Sequence, residues 1–208
     1  MKETNFIINR SLTDNAPREL IINKDFLMFE DKDFANDTFT TFGTDQIVAY
    51  RFGVKWQSFY FVFSREYCIE VKNTQNESIK INFKTYFGRK KHEYHELCNA
   101  ILTSLWQNYF KDIELNYIQK YEKGEEFTIG EVTFLPEGII IQTNSSIKLK
   151  NALIPWEKVR TKNYATYFAI YAVDKAATTN RGYTYLTDWN TSVLRNVITT
   201  IQQSKNIE

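Results

Sequence analysis

The feature that most constrains this chain of 208 residues is an internal repeat of one plan, a hairpin followed by further strands and a helix. A strand-turn-strand pattern occupies residues 20–28 and returns at residues 133–141. The turns at 23–25 and 136–138 suit tight reversals, because Asn and Asp tolerate turn dihedrals, Pro fixes φ and Gly accepts positive φ. Each half of the chain is therefore predicted to contain its own β-hairpin.

Two aliphatic residues followed by an aromatic residue form the next shared pattern, at residues 46–55 with Tyr50 and at residues 152–160 with Trp156. Pro155 cannot donate a ladder hydrogen bond, so its strand is expected at a sheet edge or at a bulge. The first half has an additional polar connection at residues 30–44. Further strands are predicted in both halves, at residues 59–63, 67–71, 79–83, 167–173 and 183–186.

Both halves end in a predicted amphipathic helix. In the first half an apolar stripe runs from Leu97 through Trp106 toward Tyr121, and Gly124 is suited to cap its end. The second helix has cap candidates at residues 188–191, ahead of one apolar face. That face contains Val193, Leu194, Val197, Ile198 and Ile201. The polar joint at the end of the first helix predicts two domains, residues 1–123 and 124–208.

This order resembles the bacterial pleckstrin-homology-like (PH-like) fold, a bent antiparallel barrel capped by its C-terminal helix. The second half carries the resemblance in four segments, 130–132, 137–139, 154–159 and 188–190. The first half matches in pattern and order. The resemblance implies an α+β, mainly β fold of two PH-like antiparallel barrels, each closed by a C-terminal amphipathic helix. It implies no single function, since the superfamily contains lipid binders, peptide binders and enzyme subunits.

The composition disfavours several classes of protein. The formal net charge is +1, so no global field attracts nucleic acid, and no nucleic-acid partner is expected. The N-terminal residues lack the apolar core of a signal peptide, which predicts a cytoplasmic protein. Cys68 and Cys98 are 30 residues apart outside any CxxC pattern, which favours two reduced, packed thiols.

Weak candidates for a ligand site are the cluster Arg89, Lys90 and Lys91, which can grip phosphate, and Trp156, which can line a groove. The ordinary alternatives are a solvated loop for the cations and core packing for the indole. Phosphoinositide-binding members of the superfamily use a basic loop between their first two strands. We equate that loop with residues 23–25, which are short and not basic, so the lipid motif is absent.

A second candidate is the HExHE run, in which His92, His95 and Glu96 can share a helix face and offer metal ligands. The spacing departs from HExxH by one residue, and no third ligand is evident, so polar side chains on a solvent-facing helix also explain the run. No nucleophile motif or phosphate loop occurs in the sequence. We therefore expect no catalytic residue, metal or cofactor.

The leading hypothesis is a noncatalytic binding module that presents a barrel edge or groove to a protein or peptide partner. A homodimer formed through edge strands is a second version of it. The alternatives are a metal-dependent enzyme that uses His92, His95 and Glu96, and peripheral membrane association through Arg89, Lys90 and Lys91, which the near-zero net charge disfavours. An alternative fold is a single α+β domain with the long first helix packed on one continuous sheet.

Overall fold

The computed structural model describes residues 3–11, 16–31, 39–145 and 148–207, without the side chains of residues 144, 145 and 148–150. The chain divides into two compact units, Met1–Lys111 (the first unit) and Asp112–Glu208 (the second unit). The described strands of the first unit are β1 (Thr4–Asn9), β2 (Pro17–Ile22), β3 (Phe26–Glu30), β4 (Phe39–Gly43), β5 (Ile47–Ser58), β6 (Val62–Asn73) and β7 (Ser78–Tyr86). Those of the second unit are β8 (Phe127–Ile129), β9 (Val132–Leu135), β10 (Gly138–Ser145), β11 (Lys148–Pro155), β12 (Val159–Asn163), β13 (Tyr167–Ala172) and β14 (Asn180–Thr184).

A helical segment follows β7, at the boundary of the two units, and another helix follows β14. The first helical segment consists of α1 (Lys91–Leu105), a π-helical turn (Trp106–Phe110) and α2 (Lys111–Glu122). The second unit ends in α3 (Thr191–Ser204).

Each unit repeats the same sheet topology. Strands β1–β4 form one antiparallel meander and β5–β7 another, while β8–β11 and β12–β14 do the same in the second unit. A short 3-10 turn separates the two sheets in both units, Thr44–Gln46 in the first and Trp156–Lys158 in the second. The chain is thus mainly β, with 48% strand and 28% helix in four separate sheets. No closed barrel is found in the described parts of the chain.

Both predicted hairpins are confirmed. The β2–β3 turn is held by Asn23, whose Oδ1 accepts hydrogen bonds from the backbone N–H groups of Asp25 and Phe26, each at 2.9 Å. In the β9–β10 hairpin Gly138 pairs with Leu135 across the turn. A Cβ atom on Gly138 would lie 2.3 Å from the carbonyl oxygen of Ile154, so the close approach of β11 requires glycine there.

Two expectations about the first four strands are wrong. The predicted polar connection 30–44 contains strand β4, whose Phe42 is buried, while residues 32–38 lie outside the described part of the chain. The sequence F-T-T-F-G hides this strand, because only one side chain of the five is fully buried. The turn at 23–25 joins β2 to β3, so it is not the loop between the first two strands. The loop between β1 and β2 spans residues 10–16, of which residues 12–15 lie outside the described part of the chain.

The proposed equivalence of Tyr50 and Trp156 is also wrong. Tyr50 lies within β5, whereas Trp156 begins the 3-10 turn that follows β11. Pro155 is the last residue of β11, and β11 is the edge strand of its four-stranded sheet, as its missing N–H group predicts.

The predicted helices are confirmed with one local difference. All five apolar residues expected on the face of α3 are buried. In the first helical segment the π-helical turn adds a residue to one turn and rotates the stripe, which leaves Trp106 36% exposed while Tyr109 and Phe110 are buried. Gly124, at φ 73°, ends the segment with the paired backbone bonds of a Schellman motif.

The first unit ends at Lys111, within the long helical segment, whereas the boundary predicted from the sequence lies at 123/124. That two domains with this boundary fold on their own stays a prediction. None of the helices in the described residues has the length and apolar composition needed to cross a membrane.

Candidate functional site

The β5–β6 hairpin contains the longest described strands of the first unit, with 12 residues in each. Its turn consists of Phe59, Tyr60 and Phe61, which are 83%, 90% and 63% exposed. The strand predicted at residues 59–63 is therefore wrong for its first three residues. Aromatic residues favour strands in general, but here the chain reverses and their side chains have no facing strand to pack on.

One face of this hairpin forms the wall of a cleft of about 870 Å³. Trp56 pairs with Arg65 across the two strands, and Val54 pairs with Tyr67 two positions further along. Side chains at alternate positions of a strand share a face, so all four lie on the same side of the hairpin. Trp56 is 49% exposed, which leaves much of its indole ring open to the cleft.

The opposite wall comes from the loop after β7 and from the start of α1. It is lined by Gly88, Lys90, Lys91, His92, Glu93 and His95. The structure therefore brings Lys90 and Lys91 of the predicted cluster together with Arg65, which the sequence analysis did not select. Arg89 is exposed beside this wall but does not line the cleft.

The loop has an unusual backbone that is fixed at both ends. Phe87, Gly88 and Lys90 all have positive φ, at 51°, 71° and 55°. The N–H of Phe87 donates to the carbonyl oxygen of Phe63 at 2.7 Å, and the Thr85 hydroxyl donates to the carbonyl oxygen of Arg89. Non-glycine residues with positive φ are uncommon and are retained where the surrounding structure holds them. The loop thus presents its cations from a defined backbone.

The charges of the cleft are mainly positive. Lys90 makes an exposed ion pair with Glu93 at 3.4 Å, which is worth little in water. Within the described residues, Arg65 and Lys91 have no ion pair. Lys90 occupies the N-cap position of α1, where its ammonium group has no lone pair to accept a backbone N–H. The N-terminal end of the α1 dipole is positive, as are the Lys side chains beside it, so both contribute positive electrostatic potential to the cleft.

The HExHE run lies at the start of α1 as predicted, and it brings two of the three candidate ligands, His92 and Glu96, together. His92 Nε2 lies 3.1 Å from a carboxylate oxygen of Glu96 on the exposed helix face, and the ring of His95 lies 6.4 Å from that of Tyr67. No group of three or more His, Cys, Asp or Glu side chains among the described residues is arranged to hold a metal ion.

Trp156, the other candidate, lies in the core of the second unit. It is 2% exposed, and its indole N–H donates to the carbonyl oxygen of Leu135 at 3.2 Å. The edge of the Tyr121 ring packs against it at 5.4 Å between centroids. A ligand role for Trp156 stays a prediction, whereas its core packing is confirmed.

Behind the cleft lie the two cysteines, both buried and both free thiols, as predicted. Burial, followed by the charge of the neighbouring Cys68, raises the pKa of Cys98 to about 12. Burial is also the main cause of the raised pKa values of Cys68 and Tyr67. These groups stay protonated at neutral pH, so the thiols lack the thiolate character of a nucleophile.

Sequence reasoning found the cations but missed the hairpin that faces them. The available signal was the uninterrupted apolar run at 59–63, since a half-buried strand alternates and this run does not. The resulting cleft can bind an anionic group between Arg65 and Lys91 and can stack a flat or apolar group on Trp56. Comparison with known proteins adds no family to this geometry, because no family model, curated protein or solved structure matches the chain.

Proposed function

We propose that this chain is a noncatalytic binding module built from two PH-like units, and that the first unit binds an anionic group in its cleft. The observation that carries the proposal is the convergence of Arg65, Lys90 and Lys91 on one cleft beside the exposed ring of Trp56. The bound group belongs to a ligand or partner that also has an apolar part, which the indole contacts.

The PH-like assignment is supported by the order of elements. Both units have a four-stranded meander, a 3-10 turn, a three-stranded meander and a closing helix. Both closing helices also begin after a residue with positive φ, Lys90 at 55° and Asn190 at 60°. A backbone detail repeated at equivalent positions supports one common plan. Under the proposal, the two sheets of each unit form the bent barrel of that superfamily.

Binding of an anion is supported by the charges and by the fixed loop. Arg and Lys provide charge-assisted hydrogen bonds to phosphate or carboxylate oxygens, which are stronger than bonds between neutral groups. The cleft is partly enclosed by protein on two sides, so these charges are screened less than isolated surface charges. Because the loop is anchored by Phe63 and Thr85, little ordering is needed when the ligand binds.

The direct test is isothermal titration calorimetry of the full chain with tripolyphosphate as the probe. We expect binding that weakens steeply with salt and that falls by about tenfold or more in the double variant Arg65→Gln/Lys91→Gln. The matched control is Lys123→Gln/Lys175→Gln, which removes two exposed cations from the second unit and should leave the affinity unchanged. Equal affinity of all three proteins, each folded by circular dichroism, would remove the basis of the proposal.

The metal-dependent enzyme stays the alternative from another class. Its test is elemental analysis of protein purified without an affinity tag, with His95→Ala as the comparison. A stoichiometric ion that is lost in His95→Ala would favour the enzyme, whereas an ion-free native protein would count against it.

One specific observation supports the hypothesis that a protein or peptide adds a strand to this chain. Strand β11 lies at the edge of its sheet, and its Leu153 is 52% exposed. Placing a charge on such an edge blocks pairing, so Leu153→Lys is expected to abolish any dimer or peptide complex formed there. Light scattering of the native protein and of this variant tests the homodimer version.

A further inference from the structure

The turn of the β5–β6 hairpin exposes more apolar surface than a turn requires. Phe59, Tyr60, Phe61 and Val62, here called the tip cluster, are 83%, 90%, 63% and 40% exposed. The rings of Phe59 and Tyr60 meet edge to face with 4.6 Å between their centroids, so the two most exposed rings are already grouped. A reversal between two long strands needs only turn residues such as Asn and Gly. The tip cluster therefore serves something other than the reversal.

A fourth exposed ring lies beside the tip of the hairpin. Phe87 is 69% exposed, and its backbone N–H is bonded to the carbonyl oxygen of Phe63, directly after the tip cluster. The apolar surface thus extends from the tip cluster to the loop that carries Lys90 and Lys91. Contiguous exposed apolar surface bordered by charges is typical of an interaction site for a protein or a membrane.

The surrounding charges decide between these two partners. Arg65 lies on β6 behind the tip cluster, and Arg89, Lys90 and Lys91 follow Phe87, while Glu93 is an acid that lines the same cleft. A band of cations behind exposed Phe, Tyr and Trp rings matches an anionic bilayer, where rings occupy the interface and cations meet the headgroups. Protein interfaces also have a polar rim, so the excess of positive charge beside the rings is what favours an anionic bilayer here.

We propose that the tip cluster inserts into the interface of an anionic membrane while the cations of the cleft hold lipid headgroup phosphates. This inference rests on the proposed function of the cleft and names its partner, a bilayer surface with negatively charged lipids. The chain then binds peripherally, through the first unit, with affinity supplied jointly by buried rings and by charge.

The test is cosedimentation of the full chain with vesicles of phosphatidylcholine and phosphatidylglycerol in about a 2:1 ratio. The triple variant Phe59→Ser/Tyr60→Ser/Phe61→Ser should bind these vesicles more than about tenfold less tightly, because three rings no longer leave water. Its affinity for tripolyphosphate should stay that of the native chain. The matched control is Leu115→Ser/Val173→Ser, which removes two apolar side chains of the second unit that are 46% and 52% exposed and should bind vesicles normally.

A second measurement reads insertion directly. Because Cys68 and Cys98 are buried, a cysteine introduced as Tyr60→Cys can be labelled selectively with a polarity-sensitive dye. Its emission should shift to the blue on anionic vesicles and stay unchanged on pure phosphatidylcholine vesicles. The same dye on Lys123→Cys should show no shift on either.

The outcomes separate this inference from the proposed function. Native protein that binds tripolyphosphate but not anionic vesicles, or a triple variant that binds vesicles as the native chain does, overturns the membrane proposal and leaves the anion site standing. A failure to bind both probes overturns both proposals. Labelled Tyr60→Cys protein that cosediments with anionic vesicles without a blue shift would also overturn the membrane proposal, since binding would then be electrostatic without insertion.

Discussion

The hairpins at equivalent places in the two units differ more than the frameworks that carry them. In the first unit β5 and β6 have 12 residues each and end in the exposed tip cluster. In the second unit β12 and β13 have five and six residues, and their turn keeps Tyr164 stacked on Tyr167 at 4.4 Å. The sheet pairing is the same in both. One plan thus provides the core, and the two units differ in the length of this hairpin and in the apolar surface that its turn exposes.

The loops before the closing helices show the same contrast in charge. Both reach a residue with positive φ directly before the helix, but the first loop carries Arg89, Lys90 and Lys91, and the second carries Asp188. Asp188 accepts the backbone N–H of Thr184 at 2.6 Å and the Thr184 hydroxyl at 3.1 Å. The acid of the second unit therefore stabilises its own loop, while Lys90 and Lys91 of the first unit face a cleft.

The largest expected effects come from the shared framework. Phe83 is stacked on Tyr67 in the first unit, and Phe134 is stacked on Phe127 in the second, and both are buried. Phe83→Ala and Phe134→Ala should each lower the free energy of unfolding by about 3–5 kcal/mol, because each leaves a cavity in a packed core. Urea denaturation measures this. A cost below about 1 kcal/mol at either site would contradict the equal roles of the two cores.

A smaller effect should follow at alkaline pH from Cys98 of the first unit, whose thiol is buried. The native state keeps the proton of Cys98 up to a pKa of about 12, whereas an ordinary thiol releases it near 9.0. Stability is therefore fully present below about pH 9 and is lost as the pH rises toward 12. Chemical denaturation across this range should show a shallower loss in Cys98→Ala than in the native chain. An identical slope in the two proteins would show that the thiol is not protected as described.

Two glycines should give effects of about 1 kcal/mol each when replaced by alanine, because a Cβ atom is disfavoured at positive φ. Gly124 (φ 73°) ends the helical segment and Gly88 (φ 71°) lies in the cation loop, with open space around both. The two changes are thus matched in cause. Thermal unfolding of Gly124→Ala and Gly88→Ala tests them, and a cost near zero for Gly88→Ala would mean that the loop is not held in its described conformation.

The smallest stability effect is expected at the tip cluster. Phe61→Ser removes a side chain that is 63% exposed, so the free energy of unfolding should change by less than about 0.5 kcal/mol. Binding to anionic vesicles should nevertheless weaken measurably. A large loss of stability would indicate that the tip cluster packs against protein, and the contrast between framework and surface would then fail.

The framework could be predicted from the sequence because its signals are local. The turn of Asn23, the cap at Gly124 and the apolar face of α3 each follow from residues adjacent in the chain. The candidate binding cleft could not be predicted from the sequence, because it depends on the register between paired strands. Trp56 and Arg65 meet only through the pairing of β5 with β6, and the run at 59–63 reads as a strand until its place at the turn is known.

The measurement that tests the central claim most directly is backbone amide NMR of the full chain during titration with tripolyphosphate. The account predicts that the largest shifts cluster at Trp56, Arg65 and residues 88–92, and that the equivalent loop at residues 187–190 stays unchanged. Shifts confined to the second unit, or spread evenly over exposed cations of both units, would contradict the assignment of binding to the first unit.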